Sequence, residues 1–117
     1  MANPNIVAAT SILGNTGVAT LTTSLVTLFT VPSSTVYKMN SITVANKSAS
    51  TATVDLTVSV DGTNDFYLAN DIVVPAATTL VILTKDQSIY VPETGKMKAL
   101  ASAGTALDLV YSYEAIS

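Results

Sequence analysis

Between Thr51 and Asp71 the chain alternates in a way that a half-buried strand accommodates and a helix does not. Val54, Leu56, Val58 and Val60 fall on one side, and Asp55, Thr57 and Ser59 on the other. Successive side chains of a strand point to opposite faces, so one face is apolar and the other polar. Asp61-Gly62-Thr63-Asn64-Asp65 follows. Gly and Asn accept the positive φ that a tight turn needs, which predicts a hairpin returning through Phe66-Tyr67-Leu68. The same period recurs from Leu25 to Glu114 without helical periodicity. The predicted fold is all-β: one antiparallel β-sandwich of about eight short strands, spaced with turn chemistry between them. Jelly-roll and immunoglobulin-like topologies both fit this pattern.

A chain of 117 residues suits one domain and is too short for two ordinary ones. Cysteine and histidine are both absent. Disulfides, thiolate catalysis and thiolate zinc sites are thereby removed, together with the commonest general base and metal ligand. The five basic residues are all lysine (Lys38, Lys47, Lys85, Lys96, Lys98), set against eight carboxylates for a net charge of −3. Without arginine forks or a basic surplus, nucleic acid is not an expected partner. Nor is a membrane, since no run of about 18 apolar residues is present and the N-terminus lacks the pattern of a targeting segment.

Charged residues make up only 11% of the chain, against roughly 25% in an average domain. The surface is therefore one of hydroxyls and methyls, and its strand edges must be covered, by the fold itself or by other subunits.

Along the chain, residues 1–23 carry no charge, and the first charged residue is Lys38. Pro4 favours an extended or turn entry, and Gly14-Asn15-Thr16-Gly17 reads as a turn. This segment is expected to be an N-terminal arm with one or two short strands, preceding a sandwich domain at 24–117. It either lies on a neighbouring subunit or forms an ordinary first strand of its own sandwich. Strands are predicted from Leu25 to Thr30 and from Val36 to Asn46, the latter with a bulge near Asn40-Ser41 where alternation breaks. Leu80 to Leu83 reads as a strand buried on both faces, Ser102-Ala103-Gly104-Thr105 as a hairpin turn, and Leu107 to Glu114 as the last strand. Val-Pro punctuates three strand ends, at Pro32, Pro75 and Pro92.

Asp61, Asp65 and Asp71 surround a Gly-containing loop, yet the loop lacks the closing acid of a calcium site, and a solvated hairpin explains them. No metal or cofactor is expected. Five tyrosines are present, of which Tyr111 and Tyr113 share a face with Leu107 and Leu109 and belong to the core. Tyr67 and Tyr90 are the candidates for ligand stacking. Serine and threonine are abundant, but no base accompanies them, and no enzyme activity is expected.

Ala2-Asn3-Pro4-Asn5-Ile6-Val7, Thr10-Ser11-Ile12-Leu13-Gly14-Asn15, Val36 through Asn46 and Val110-Tyr111-Ser112-Tyr113-Glu114 together resemble small virion structural proteins of tailed phages, especially marine phages infecting cyanobacteria. The resemblance implies a non-enzymatic particle component located in the virion. Its best match is a capsid decoration or cement protein, with neck, tail or fibre placement and a glycan- or receptor-binding module as alternatives. The implied partners are the major capsid protein or other virion proteins, and further copies of the chain, arranged as a trimer. Under this reading the assembly residues lie in the arm: Asn3, Pro4, Ile6, Val7, Ile12 and Leu13.

Overall fold

The computed structural model describes residues 10–117. Among the described residues the strands are β1 (Ile12–Thr20), β2 (Val26–Thr30), β3 (Val36–Asn46), β4 (Ala52–Ser59), β5 (Phe66–Val74), β6 (Thr79–Leu83), β7 (Ile89–Val91), β8 (Lys96–Ala101) and β9 (Leu107–Ile116), with a 3-10 turn at Lys85–Gln87. Two antiparallel sheets form a sandwich. Sheet A has the order β1-β9-β3-β6, with β7 also pairing with β3, and sheet B has the order β2-β8-β4-β5. Among the described residues, β4 and β5 are the only consecutive strands bonded to each other. Almost every other connection crosses from one sheet to the other.

The interior is filled unequally from the two sides. Sheet A supplies bulk through Met39, Ile42, Val44, Leu107, Leu109 and Tyr111, all buried. Sheet B answers with Ala52, Ala69, Ala99 and Ala101 around Val54, Leu56, Val74 and Met97. Large residues facing small ones let the layers interdigitate at interior density. At one end Phe29, Tyr37, Tyr111 and Tyr113 gather, with Tyr37 stacked on Tyr113 at 4.6 Å and Phe29 5.1 Å from Tyr37. Burial raises the Tyr37 and Tyr111 phenols above their ordinary range, and the neighbouring Tyr113 adds to the effect.

β4 and β5 pair as the hairpin reading predicts, with Val54 and Leu56 buried and Asp55 half-buried between them. The predicted faces hold only as far as Leu56: the register against β5 shifts on both sides of that residue, so Thr57 and Ser59 are buried while Val58 is half-buried and Val60 is 54% exposed. The expected bulge in β3 is present too, as a register shift against β9 between Met39 and Ser41. The three Val-Pro ends share one geometry. Val31, Val74 and Val91 are buried, and three residues further on the backbone turns left-handed at Ser34 (φ 57°), Ala77 (φ 56°) and Thr94 (φ 66°). Each proline fixes the entry to a tight turn whose left-handed position would ordinarily favour Gly.

Three further local readings are corrected. Gly14-Asn15-Thr16-Gly17 is not a turn but the middle of β1, because continuous pairing with β9 outweighs the turn preference of these residues. Gly17 instead makes room for the Tyr111 ring, which occupies the space that a Cβ would fill. Ser102-Ala103-Gly104-Thr105 is not a hairpin, since it carries the chain from β8 in sheet B to β9 in sheet A. Leu80 to Leu83 is not buried on both faces: β6 ends sheet A, and Val81 is 52% exposed.

Candidate assembly surface

The outer face of sheet A is organised in cross-strand rows. Val18 pairs with Val110, Val110 with Thr43, and Thr43 with Val81, so one row runs across all four strands. Its valines are exposed, Val18 most of all at 73%. The next row places Thr16 beside Ser112, which shares a hydrogen bond of 2.7 Å with Ser41. Charges stand on either side of this strip and neutralise one another. Lys47 lies 3.1 Å from Asp108 on one side, and Lys38 3.9 Å from Glu114 on the other. The Thr20 hydroxyl, donating to Asp108 at 2.8 Å, holds that carboxyl below its ordinary range, with Lys47 reinforcing the effect. Glu114 lies six positions along β9 from Asp108, so the neutral strip is about 20 Å wide.

The edge of this sheet is as distinctive as its face. The β1 register to β9 holds without a shift from Ile12↔Ile116 to Thr20↔Asp108. Ser11 and Ser117 exchange both backbone hydrogen bonds at 2.9 Å, and the Leu21 N–H donates to the Leu107 carbonyl at 2.9 Å. In an antiparallel ladder such pairs alternate with non-bonded ones, so the odd-numbered residues bond to β9. Ile12, Gly14, Thr16, Val18 and Thr20 therefore direct their N–H and C=O groups at the open side, where no described strand meets them.

Of the residues assigned to an assembly arm, Asn3, Pro4, Ile6 and Val7 lie outside the described residues. Ile12 and Leu13 sit on β1 and are 57% and 61% exposed. Tyr67 and Tyr90 are both exposed but are not brought together: Tyr67 lies on β5 in sheet B, and Tyr90 on β7 against Lys38 in sheet A. Sequence reasoning missed the row of Val18, Val110 and Val81. Each looks unremarkable in its own strand, and only the cross-strand register aligns them.

The carboxylates near the β4–β5 turn each have a task of their own. Asp61 accepts hydrogen bonds from the backbone N–H groups of Thr63 and Asn64 at 2.8 Å, from the Asn64 side chain at 2.9 Å and from the Ser59 hydroxyl at 3.1 Å. Asp65 pairs with Lys98 at 3.2 Å, and the Asp71 N–H donates to Asp55. Bonds from Asn64 first, then Thr63, hold the Asp61 carboxyl well below the ordinary carboxylate range. A depressed folded value means that the stabilisation is complete above the unfolded value of 3.8 and is lost as pH falls through the folded one. Asp61→Ala is thus expected to lower the melting temperature at pH 6. The gap to the parent should narrow on going to pH 2.5, as thermal melts at the two values will show; an equal gap would mean that the carboxylate charge plays no part.

No protein-family model matches the sequence, and no curated protein matches it. Solved structures share the fold at low identity. A chain of T=1 particles derived from infectious bursal disease virus superposes with a TM-score of 0.53 at 11% identity, covering 92% of this chain and 32% of that one. A chain of the T13 particle of the same virus gives 0.52 at 14%, covering 92% and 31%. The chain therefore spans about a third of the length of these viral chains. A disulfide-linked pilus from Bacillus endospore appendages gives 0.53 at 13% identity, with 91% of this chain and 87% of that one covered.

Proposed function

We propose that this chain is a non-enzymatic structural protein of a virion, a capsid decoration or cement protein that binds the outer shell as a homo-oligomer and reinforces contacts of the major capsid protein. The observation that carries the reading is the neutral strip on sheet A. An exposed, uncharged row of valines flanked by hydroxyls is a surface that a partner covers. The interleaved order of the two sheets supports it, read as a jelly roll, an architecture used by viral capsid domains and lectins. The likeness to virus-particle chains agrees. The likeness to a disulfide-linked pilus does not extend to its linkage, because this chain has no cysteine. In this reading Asn3, Pro4, Ile6, Val7, Ile12 and Leu13 contact a neighbouring subunit.

Quantitative mass spectrometry of purified virions tests the proposal. A copy number close to that of the major capsid protein is expected for a shell-wide component. A few copies per particle would move the chain to the neck, tail or fibres, and absence from the particle would overturn the reading. The exposed rings of Phe66 and Tyr67 on β5 favour a second reading, a glycan- or receptor-binding module. That reading requires saturable binding of host polysaccharide which Tyr67→Ala abolishes.

A further inference from the structure

The four sheet edges are not equivalent. β2 and β6 have five residues each, and both carry a register shift against their partners. β5 is longer, but its register shifts twice, and it contains Asp71 in a left-handed conformation (φ 51°). Short strands, bulges and charges are devices that keep an edge from pairing with another chain. β1 has none of them. It is nine residues long, regular and uncharged, and neither proline nor lysine interrupts it.

We infer that β1 is a homotypic docking edge, and that two copies of this chain pair antiparallel through it. The ladder of outward groups, which no described strand meets, is self-complementary about a two-fold axis at Thr16. Thr16 then faces Thr16 of the second copy, Gly14 faces Val18, and Ile12 faces Thr20. Every residue in these pairs has its N–H and C=O directed outward, so each pair exchanges two hydrogen bonds. Both outer faces lie on the same side of the joined sheet. Sheet A becomes continuous across the axis, in the order β6-β3-β9-β1 followed by its mirror sequence in the second copy.

Side chains match in the same register. Val18 protrudes at 73% exposure, and the space beside Gly14 is open, with no atom within 4 Å of where a Cβ would stand. Across the axis the exposed valine fits beside the glycine. Charge is compatible as well: the Lys38–Glu114 row meets the neutral Val18–Val110 row, and the Asp108–Thr20 row meets Ile12 and Ile116, so no like charges oppose. The β1 edge is about 30 Å long. On a molecule whose shorter dimensions are 25 and 19 Å, edge-on contact through the full thickness covers at most about 600 Å² per partner, at the lower bound for specific interfaces, which suits a concentration-dependent dimer rather than a permanent one. Such a contact is isologous and joins copies in twos; a trimer would have to use another surface.

The inference concerns the chain in solution and does not depend on the virion reading. Sedimentation equilibrium of the full chain is expected to show a concentration-dependent monomer–dimer transition. Thr16→Pro removes one outward N–H without touching the β9 ladder and should leave a folded monomer, with an unchanged circular dichroism spectrum. Val73→Lys, on the β5 edge, should dimerise like the parent.

Register is tested by cysteine substitution in a chain that otherwise has none. Facing residues of a bonded pair have Cα atoms about 5.5 Å apart, within the range a disulfide spans. Thr16→Cys should therefore oxidise to a covalent dimer, whereas in Val18→Cys the two thiols are four residues out of register and should stay reduced. A parent that remains monomeric at every concentration, a dimer lost through Val73→Lys but not Thr16→Pro, or cross-linking at residue 18 in preference to 16 would each overturn the inference.

Discussion

Leu56→Ala is expected to cost about 2–5 kcal/mol of folding stability, toward the upper part of the range that buried leucine truncations span. Leu56 is fully buried in β4, between β8 and β5. Its cross-strand neighbours on the core face are Ala99 and Ala69, neither of which has a side chain able to swing into the vacated volume. The large residues that face it belong to sheet A, held there by the β3–β9 ladder. The cavity therefore stays open, and its lining loses contacts outright. Urea unfolding should show a lower midpoint at an unchanged m-value, with a melting temperature reduced by roughly 10 °C. A loss of less than about 1 kcal/mol would show that the sheets close over the site.

Gly95→Ala should be of comparable severity for the opposite reason, overcrowding. Gly95 is buried, and a Cβ there would lie 2.6 Å from the Val91 side chain and 2.8 and 2.9 Å from the carbonyl oxygens of Ser59 and Pro92. The Pro92 oxygen is not free to retreat, and Gly95 itself is held at both its N–H and its carbonyl. The Pro92 carbonyl accepts the Gly95 N–H at 2.9 Å, and the Gly95 carbonyl accepts the Val31 N–H at 2.9 Å. The Thr94 N–H in turn donates to the Val31 carbonyl at 3.0 Å, tying two of the Val-Pro turns together. Relief requires moving backbone in both, at a cost of about 3 kcal/mol. Gly104→Ala is the matched control, since a Cβ there meets nothing within 4 Å. It should stay within about 0.5 kcal/mol of the parent. Equal effects at the two glycines would rule out crowding as the cause.

Both substitutions act where chain segments distant in sequence meet, and this is also where sequence reading succeeded or failed. The pairing of β4 with β5 was legible because turn chemistry is a local property, whereas the exchange of faces past Leu56, which buries Thr57 and Ser59, was not, because it comes from register shifts against β5. The β3 bulge was legible for the same reason: Met39 and Ile42 must both face inward, and only an extra residue permits it. The Gly14–Gly17 turn signal misled because the preference of those residues is weak beside a ladder of nine paired positions with β9. Gly17 looked like a breaker and proved to be the floor beneath Tyr111.

The candidate surface was less legible still. Ile12 and Leu13 were singled out on β1, and both are exposed there. Val18 was passed over, since one valine among Gly, Ala and Thr carries no pattern of its own. It gains meaning only beside Val110, Thr43 and Val81, which come from three other parts of the chain.

By itself, then, the sequence determined that this chain forms strands, where most of them lie, which face is apolar wherever a strand stays in register, and that the surface carries little charge. These follow from side-chain period, turn residues and composition, all of which act over a few neighbouring residues. The tertiary structure alone decided which strands pair, which sheet each joins, and which edge is left regular and open. Pairing is a choice among distant partners with similar alternation, and it is made by the fit of large side chains on sheet A against small ones on sheet B.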